Sequence, residues 1–154
     1  METETVPAPA RRMNLGRLRP AWYRAMAQLD QAAADGIDPT LAELIKVRVS
    51  QINGCAFCLD EHTRTARGQG EDEHRMYALP AWRETPYFTA RERAALALTE
   101  AVTRVADGHV PDDVYDEAAL VLGDDVLAQV LAMAITYNAW TRIGVSTRMS
   151  PDPR

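Results

Sequence analysis

The chain has two cysteines, Cys55 and Cys58, three residues apart, and His62 lies four residues beyond the second. With Glu43 upstream they form the pattern E-x11-C-x2-C-x3-H. A thiol attacks only as its thiolate, and a nearby imidazole can take the thiol proton or stabilise the anion that results. A helix N-terminus also favours negative charge through its free N–H groups. On these grounds Cys58 is the candidate nucleophile, with His62 at i+4, and Cys55 is the resolving thiol that closes a disulfide. Glu43 takes the third-group role, orienting and charging His62. Two other readings of the same residues stand beside this one. Cys55, Cys58 and His62 supply three ligands for zinc, the fourth to come from His74 or His109, although zinc sites more often bring their cysteine pair on a turn. Two cysteines can also be small core hydrophobes.

The elements that must position these groups are helical. Asp38-Pro39-Thr40 has an N-cap residue followed by proline at the first helical position. Leu41, Leu44, Ile45, Val49 and Ile52 then recur at helical spacing down to Asn53-Gly54, a turn and stop signal. A second helix is expected from Cys55 or Ala56 to about Arg67, ended by Gly68 and Gly70. On it Cys55, Cys58 and His62 occupy i, i+3 and i+7 of one face, which brings the two sulfurs within reach of each other. Glu43 lies off the apolar stripe, near Lys46 and Ser50. A chain that doubles back at Asn53-Gly54 sets it closer to His62 than to Cys55. A thioredoxin-type C-x2-C follows a strand, and this sequence offers no convincing strand anywhere, so an all-α fold is expected.

The stretch ELIKVRVSQINGCAFCLDEHTRTAR closely resembles the core of the AhpD-type alkylhydroperoxidase branch of the carboxymuconolactone decarboxylase family. The likeness is strongest over about residues 39 to 70 and extends more loosely over 14 to 146. The resemblance implies an all-helical, obligately oligomeric fold, usually a trimer or hexamer, with a helix hairpin that carries C-x-x-C. It implies a thiol-dependent peroxidase with Cys58 peroxidatic, Cys55 resolving, and Glu43 and His62 as the proton-relay pair. Its partners would be a hydroperoxide substrate and an external dithiol reductant, dihydrolipoamide-like or thioredoxin-like, and it would need no cofactor. Decarboxylase members of the family lack the cysteine pair. One position departs from the pattern. Phe57 stands where the best-known members carry a second histidine, which removes one relay group. A thiol–disulfide oxidoreductase with little peroxidase activity is therefore the alternative, and a zinc- or ligand-binding helical oligomer is the rival from another class.

The chain's 154 residues suit one domain with a real core, expected over 13–148 behind a loose polar tail at 1–12. A composition of 47% hydrophobic and 25% charged residues is ordinary for a globular protein, and a net charge of −5 leaves no basic footprint for nucleic acid. The first residues carry no apolar h-region, so a cytoplasmic location is expected, where cysteines serve catalysis or metal binding more often than structural bridges. A first helix is expected over Pro20 to Ala34, with Trp22, Tyr23, Met26 and Leu29 inward. A short helical segment is expected around Glu71 to Leu79, then loop from Pro80 to Pro86 anchored by a packed Trp82. Thr89-x-x-Glu92 is a capping box for a helix to about Ala106, with Ala95, Leu98, Ala101, Val102 and Val105 inward. Pro111 opens a further helix to Leu122. The last helix, from Gly123-Asp124 to about Val145, is apolar almost all round, so it reads as central core with some subunit contact. Asp125 and Gln129 cut its apolar run below a membrane-spanning length. His74 and His109 read as surface or capping residues. Arg48 lies in an apolar stripe, so it must meet a buried carboxylate or cross a subunit boundary.

Overall fold

Asp38 opens the helix that organises the molecule. Its Oδ1 accepts the Leu41 N–H at 2.9 Å, and Pro39 sits where a missing N–H costs nothing. In this computed structural model, which describes residues 6–153, helices follow one another along the chain and no strand occurs among the described residues. They are α1 (Leu15–Leu18), α2 (Pro20–Ala34), α3 (Pro39–Asn53), α4 (Ala56–Gly68), α5 (Glu73–Ala78), α6 (Ala90–Thr103), α7 (Asp112–Leu122) and α8 (Asp124–Thr147). Short 3-10 helices at Leu79–Glu84 and Val105–Asp107 join α5 to α6 and α6 to α7.

α3 packs against α4, α6 and α8 and is buried nearly all round, with Leu44, Ile45, Val47 and Val49 fully enclosed. Gly54 ends it at φ 68°, a left-handed conformation that glycine adopts without penalty, and its N–H closes on the Ser50 carbonyl. The Asn53 amide then donates to Asn138 Oδ1 at 3.0 Å and to Thr141 Oγ1 at 2.9 Å, both on α8. The turn that delivers Cys55 is thereby clamped to the long helix.

α8 supplies Val130, Met133 and Ala134 to the main core and also buries Thr136, Asn138, Thr141 and Thr147. Thr136, Thr141 and Thr147 return their hydroxyls to backbone carbonyls four residues earlier, and the Asn138 amide does the same at Ala134, which satisfies polar groups that burial would otherwise penalise. A second cluster under the 3-10 helix gathers Leu44, Val47, Leu79, Trp82, Phe88 and Leu96.

Three expectations are corrected here. Trp22 and Leu29 of α2 are 45% and 46% exposed, because α2 lies on the outside of the bundle and buries only Met26 and Ala33. Residues 79–84 form a 3-10 helix rather than open loop, although Trp82 is the buried anchor, its indole N–H donating to Glu100 at 2.9 Å. Val105 is exposed because α6 ends at Thr103 and the tighter turn that follows rotates the chain out of phase. Ile135 of α8 faces outward as well. The Thr89–Glu92 capping box forms in full, with bonds of 2.7 and 3.2 Å.

Arg48 meets a buried carboxylate: its Nε donates to Glu100 Oε1 at 2.8 Å. Arg83 Nη1 approaches Glu100 Oε2 at 2.6 Å. Burial alone would raise the Glu100 pKa, but hydrogen bonds from Arg83, Trp82 and Arg48 outweigh it and hold the carboxyl below its usual value. Of the proposed tail, residues 1–5 lie outside the described residues. Arg12 is tied to the end of α8, its N–H donating to the Thr147 carbonyl at 2.9 Å. No helix among the described residues is long and apolar enough to cross a membrane.

Candidate active site

Cys55 is the N-cap of α4 and Cys58 lies in its first turn. The two are joined as a disulfide with their Cα atoms 5.3 Å apart. The Cys58 N–H donates to Cys55 Sγ at 3.3 Å, so the helix N-terminus acts on the first sulfur at least as directly as on the second. Helix polarity therefore does not single out Cys58. Access does. A cavity of about 260 Å³ opens on Cys58 and His62 but not on Cys55. Its walls include the rings of Tyr23, Phe57, Tyr137 and Trp140, with the carboxylates of Asp30 and Glu61 also present.

His62 reaches back across the hairpin, its Nδ1 3.0 Å from Glu43 Oε2. Lys46 Nζ holds the other oxygen, Oε1, at 2.8 Å. Glu43 is only 4% exposed, and that burial would push its carboxyl up. Hydrogen bonds from His62 and Lys46, together with the Lys46 charge, reverse the effect and keep it below the ordinary carboxylate value. An ionised carboxylate can only accept, so Nδ1 must carry the hydrogen and a neutral ring keeps its Nε2 lone pair available as a base. The ring is held further by Tyr137, edge-to-face with centroids 4.9 Å apart, and Lys46 lies over the same tyrosine at 5.1 Å. Burial first, and then the charges of Asp30, Glu43 and Glu61, raise the Tyr137 pKa, so its phenol stays protonated.

Of the four residues singled out by spacing, His62 thus pairs with Glu43, Cys55 with Cys58, and His62 and Cys58 line one cavity. His74 and His109 are exposed, and no group of three or more His, Cys, Asp and Glu able to hold a metal forms among the described residues. Sequence reasoning missed Tyr137, Trp140 and Gly144, all on α8. For Gly144 a signal existed: a glycine inside a helix costs about 1 kcal/mol relative to alanine, so it needs a packing reason. The reason is the disulfide, since a Cβ there would sit 2.6 Å from Cys55 Sγ. Gly144→Ala should disfavour the closed disulfide by roughly 1–3 kcal/mol of overpacking, a shift of about fivefold or more toward the dithiol. Equilibration in a glutathione redox buffer with thiol counting measures it, and an unmoved midpoint would refute the steric role.

Residues 20–101 match the carboxymuconolactone decarboxylase family. The chain belongs to that family. The uncharacterized protein YdfG of Bacillus subtilis (strain 168) is 35% identical over 138 residues, covering 89% of this chain and 94% of the relative. A solved structure from Agrobacterium tumefaciens, of a protein of unknown function named for AhpD antioxidant defence, superposes with a TM-score of 0.89 at 32% identity. It covers 94% of this chain and all of that one. The alkylhydroperoxidase AhpD core of an uncharacterized peroxidase-related protein from Ralstonia eutropha JMP134 shares the fold, with a TM-score of 0.75 at 19% identity over 89% of this chain and 74% of its own. These likenesses and the C-x-x-C pair place the chain on the AhpD-type branch.

Proposed function

We propose that the protein is a thiol-dependent peroxidase that reduces hydroperoxides through Cys55 and Cys58. The observation that carries this reading is the Glu43–His62 pair meeting a cysteine disulfide at an aromatic-lined cavity open on the Cys58 side. The Cys58 thiolate attacks one oxygen of the peroxide, the O–O bond breaks, and the alcohol leaves with a proton delivered by His62. Cys58 is then a sulfenic acid. The Cys55 thiol condenses with it, losing water and forming the disulfide. An external dithiol, dihydrolipoamide-like or thioredoxin-like, returns two electrons and two protons. No resident cofactor takes part.

Phe57 lines the cavity beside Cys58 where the resemblance led to a histidine, which favours one second reading: a thiol–disulfide oxidoreductase with little peroxide turnover. Stopped-flow oxidation of the reduced protein by cumene hydroperoxide separates them. Fast loss of both thiols supports the peroxidase, and indifference to peroxide with continued dithiol exchange supports the oxidoreductase.

Glu43 acts here as a positioning residue. Glu43→Gln keeps its shape but removes the charge that holds Nδ1–H, so oxidation of Cys58 should slow by roughly 10- to 100-fold. The pH profile of thiol alkylation should move to higher pH. An unchanged profile would count against the relay.

A cytoplasmic homo-oligomer, trimer or hexamer, completes the proposal. The resemblance and the outward-facing Trp22, Leu29 and Ile135 support assembly. A monomer in sedimentation velocity would contradict it.

A further inference from the structure

The disulfide has two differently charged sides. On the Cys58 side the cavity described above carries Asp30 and Glu61. On the other side a second cavity of about 200 Å³ is lined by Cys55 but not by Cys58, walled by Gly54, Gly144 and Arg148, and by Met149, which stands between it and the first. An outer cavity of about 290 Å³ shares Pro9, Arg148, Met149 and Ser150 with it and adds Arg11, Asp152 and Phe57, the last of which also walls the Cys58 cavity. Two arginines thus stand against one carboxylate on the Cys55 side, while Asp30 and Glu61 are the carboxylates lining the Cys58 cavity, with Lys46 set behind Tyr137 against Glu43. Arg148 is set there by the backbone, since it ends α8 in the left-handed conformation at φ 56°.

We infer that the Cys55-side cavity, with Arg148 at its wall, is the access route for a small anionic dithiol that reduces the Cys55–Cys58 disulfide, separate from the peroxide cavity at Cys58. The inference rests on the redox reading above, through its reductive half. Thiol–disulfide exchange needs the attacking thiolate to approach a sulfur from outside the S–S bond. Cys55 lines that cavity although it is only 1% exposed, and Gly144, where a Cβ would sit 2.6 Å from the Cys55 sulfur, leaves room at the same wall. The reductant's first thiolate bonds to Cys55 Sγ, the Cys55–Cys58 bond breaks, and Cys58 leaves as a thiolate on the side of His62. The reductant's second thiol closes on the first, forming its own cyclic disulfide and releasing Cys55. Two electrons and two protons have then passed to the protein, and Cys58 is ready for the next oxidant. A carboxylate on the reductant is drawn to Arg148 and repelled by Asp30 and Glu61, so charge selects the Cys55 face.

Dihydrolipoate and dihydrolipoamide test this, because they share the same dithiol and differ by one carboxylate. In stopped-flow reduction of the oxidised full chain, dihydrolipoate should be faster by about 3- to 5-fold, the scale of one exposed ion pair. The preference runs against a net charge of −5, so it must come from local cations, and it should fade at high salt. Arg148→Asn, which tolerates the left-handed conformation, should bring the ratio to one, and Arg148→Lys should keep it. Equal rates in the unaltered protein, or a preference that survives Arg148→Asn, would overturn the inference, as would failure of both dithiols to reduce the disulfide. Failure of the peroxidase reading shows elsewhere: reduced protein that ignores cumene hydroperoxide while the charge preference stands would sink the peroxidase and leave this route in place.

Discussion

Cys58→Ser should drop hydroperoxide reduction to the uncatalysed background, a loss on the order of 10³-fold or more. A serine hydroxyl does not ionise at neutral pH, and Cys55 cannot substitute, because the cavity shared with His62 opens on Cys58 alone of the two. The companion Cys55→Ser variant should consume one equivalent of peroxide and stop at the Cys58 sulfenic acid, trapped by dimedone and read by mass. Trp140 lines the cavity, so tryptophan fluorescence can follow the first step. The contrast between the two variants decides the roles, which helix polarity leaves open since the Cys58 N–H points at Cys55. Retained turnover in Cys58→Ser, or a sulfenic acid on Cys55, would reverse the assignment.

Glu100→Ala should destabilise the protein by about 3–5 kcal/mol, the cost of breaking a buried ion pair on one side. It would leave Arg48 buried without its carboxylate and the Trp82 indole N–H without an acceptor. For a chain of this size the thermal midpoint should fall by on the order of 10 °C. A change under about 1 kcal/mol would show that the cluster contributes packing rather than charge pairing. The same carboxylate carries a pH signature. Its folded pKa lies below the usual 4.5, so the unfolded chain takes up the proton first as acid is added. Its stabilisation is complete above about pH 4.5 and is lost as pH falls through the folded value. Glu43 and Glu92, also lowered, act in the same direction. Acid unfolding of Glu100→Ala should accordingly be less steep than that of the unaltered protein.

Much of the hairpin was legible in the sequence, because local chemistry determines it. Asp38-Pro39 starts α3, the Asn53-Gly54 stop requires a left-handed residue, and the Thr89–Glu92 box closes on itself within one turn. Each depends on residues within a few positions of one another, as does the i, i+3, i+7 face that carries Cys55, Cys58 and His62. The meeting of Glu43 with His62 was within reach too, since it needs only a chain that doubles back between two adjacent helices.

What α8 contributes was not legible. Tyr137 beside His62, Asn138 holding Asn53, and Gly144 against the sulfurs lie some 75 to 90 positions downstream of their partners, and no periodicity reports such a meeting. The partner of Arg48 was equally hidden. An arginine in an apolar stripe demands a carboxylate, but burial cost says nothing about which one, and only packing α6 against α3 selects Glu100. The sequence by itself determined which residues could do thiol chemistry and the helices that carry them. The tertiary structure decided which sulfur faces which cavity, because access and the charge around it are properties of surfaces assembled from distant segments.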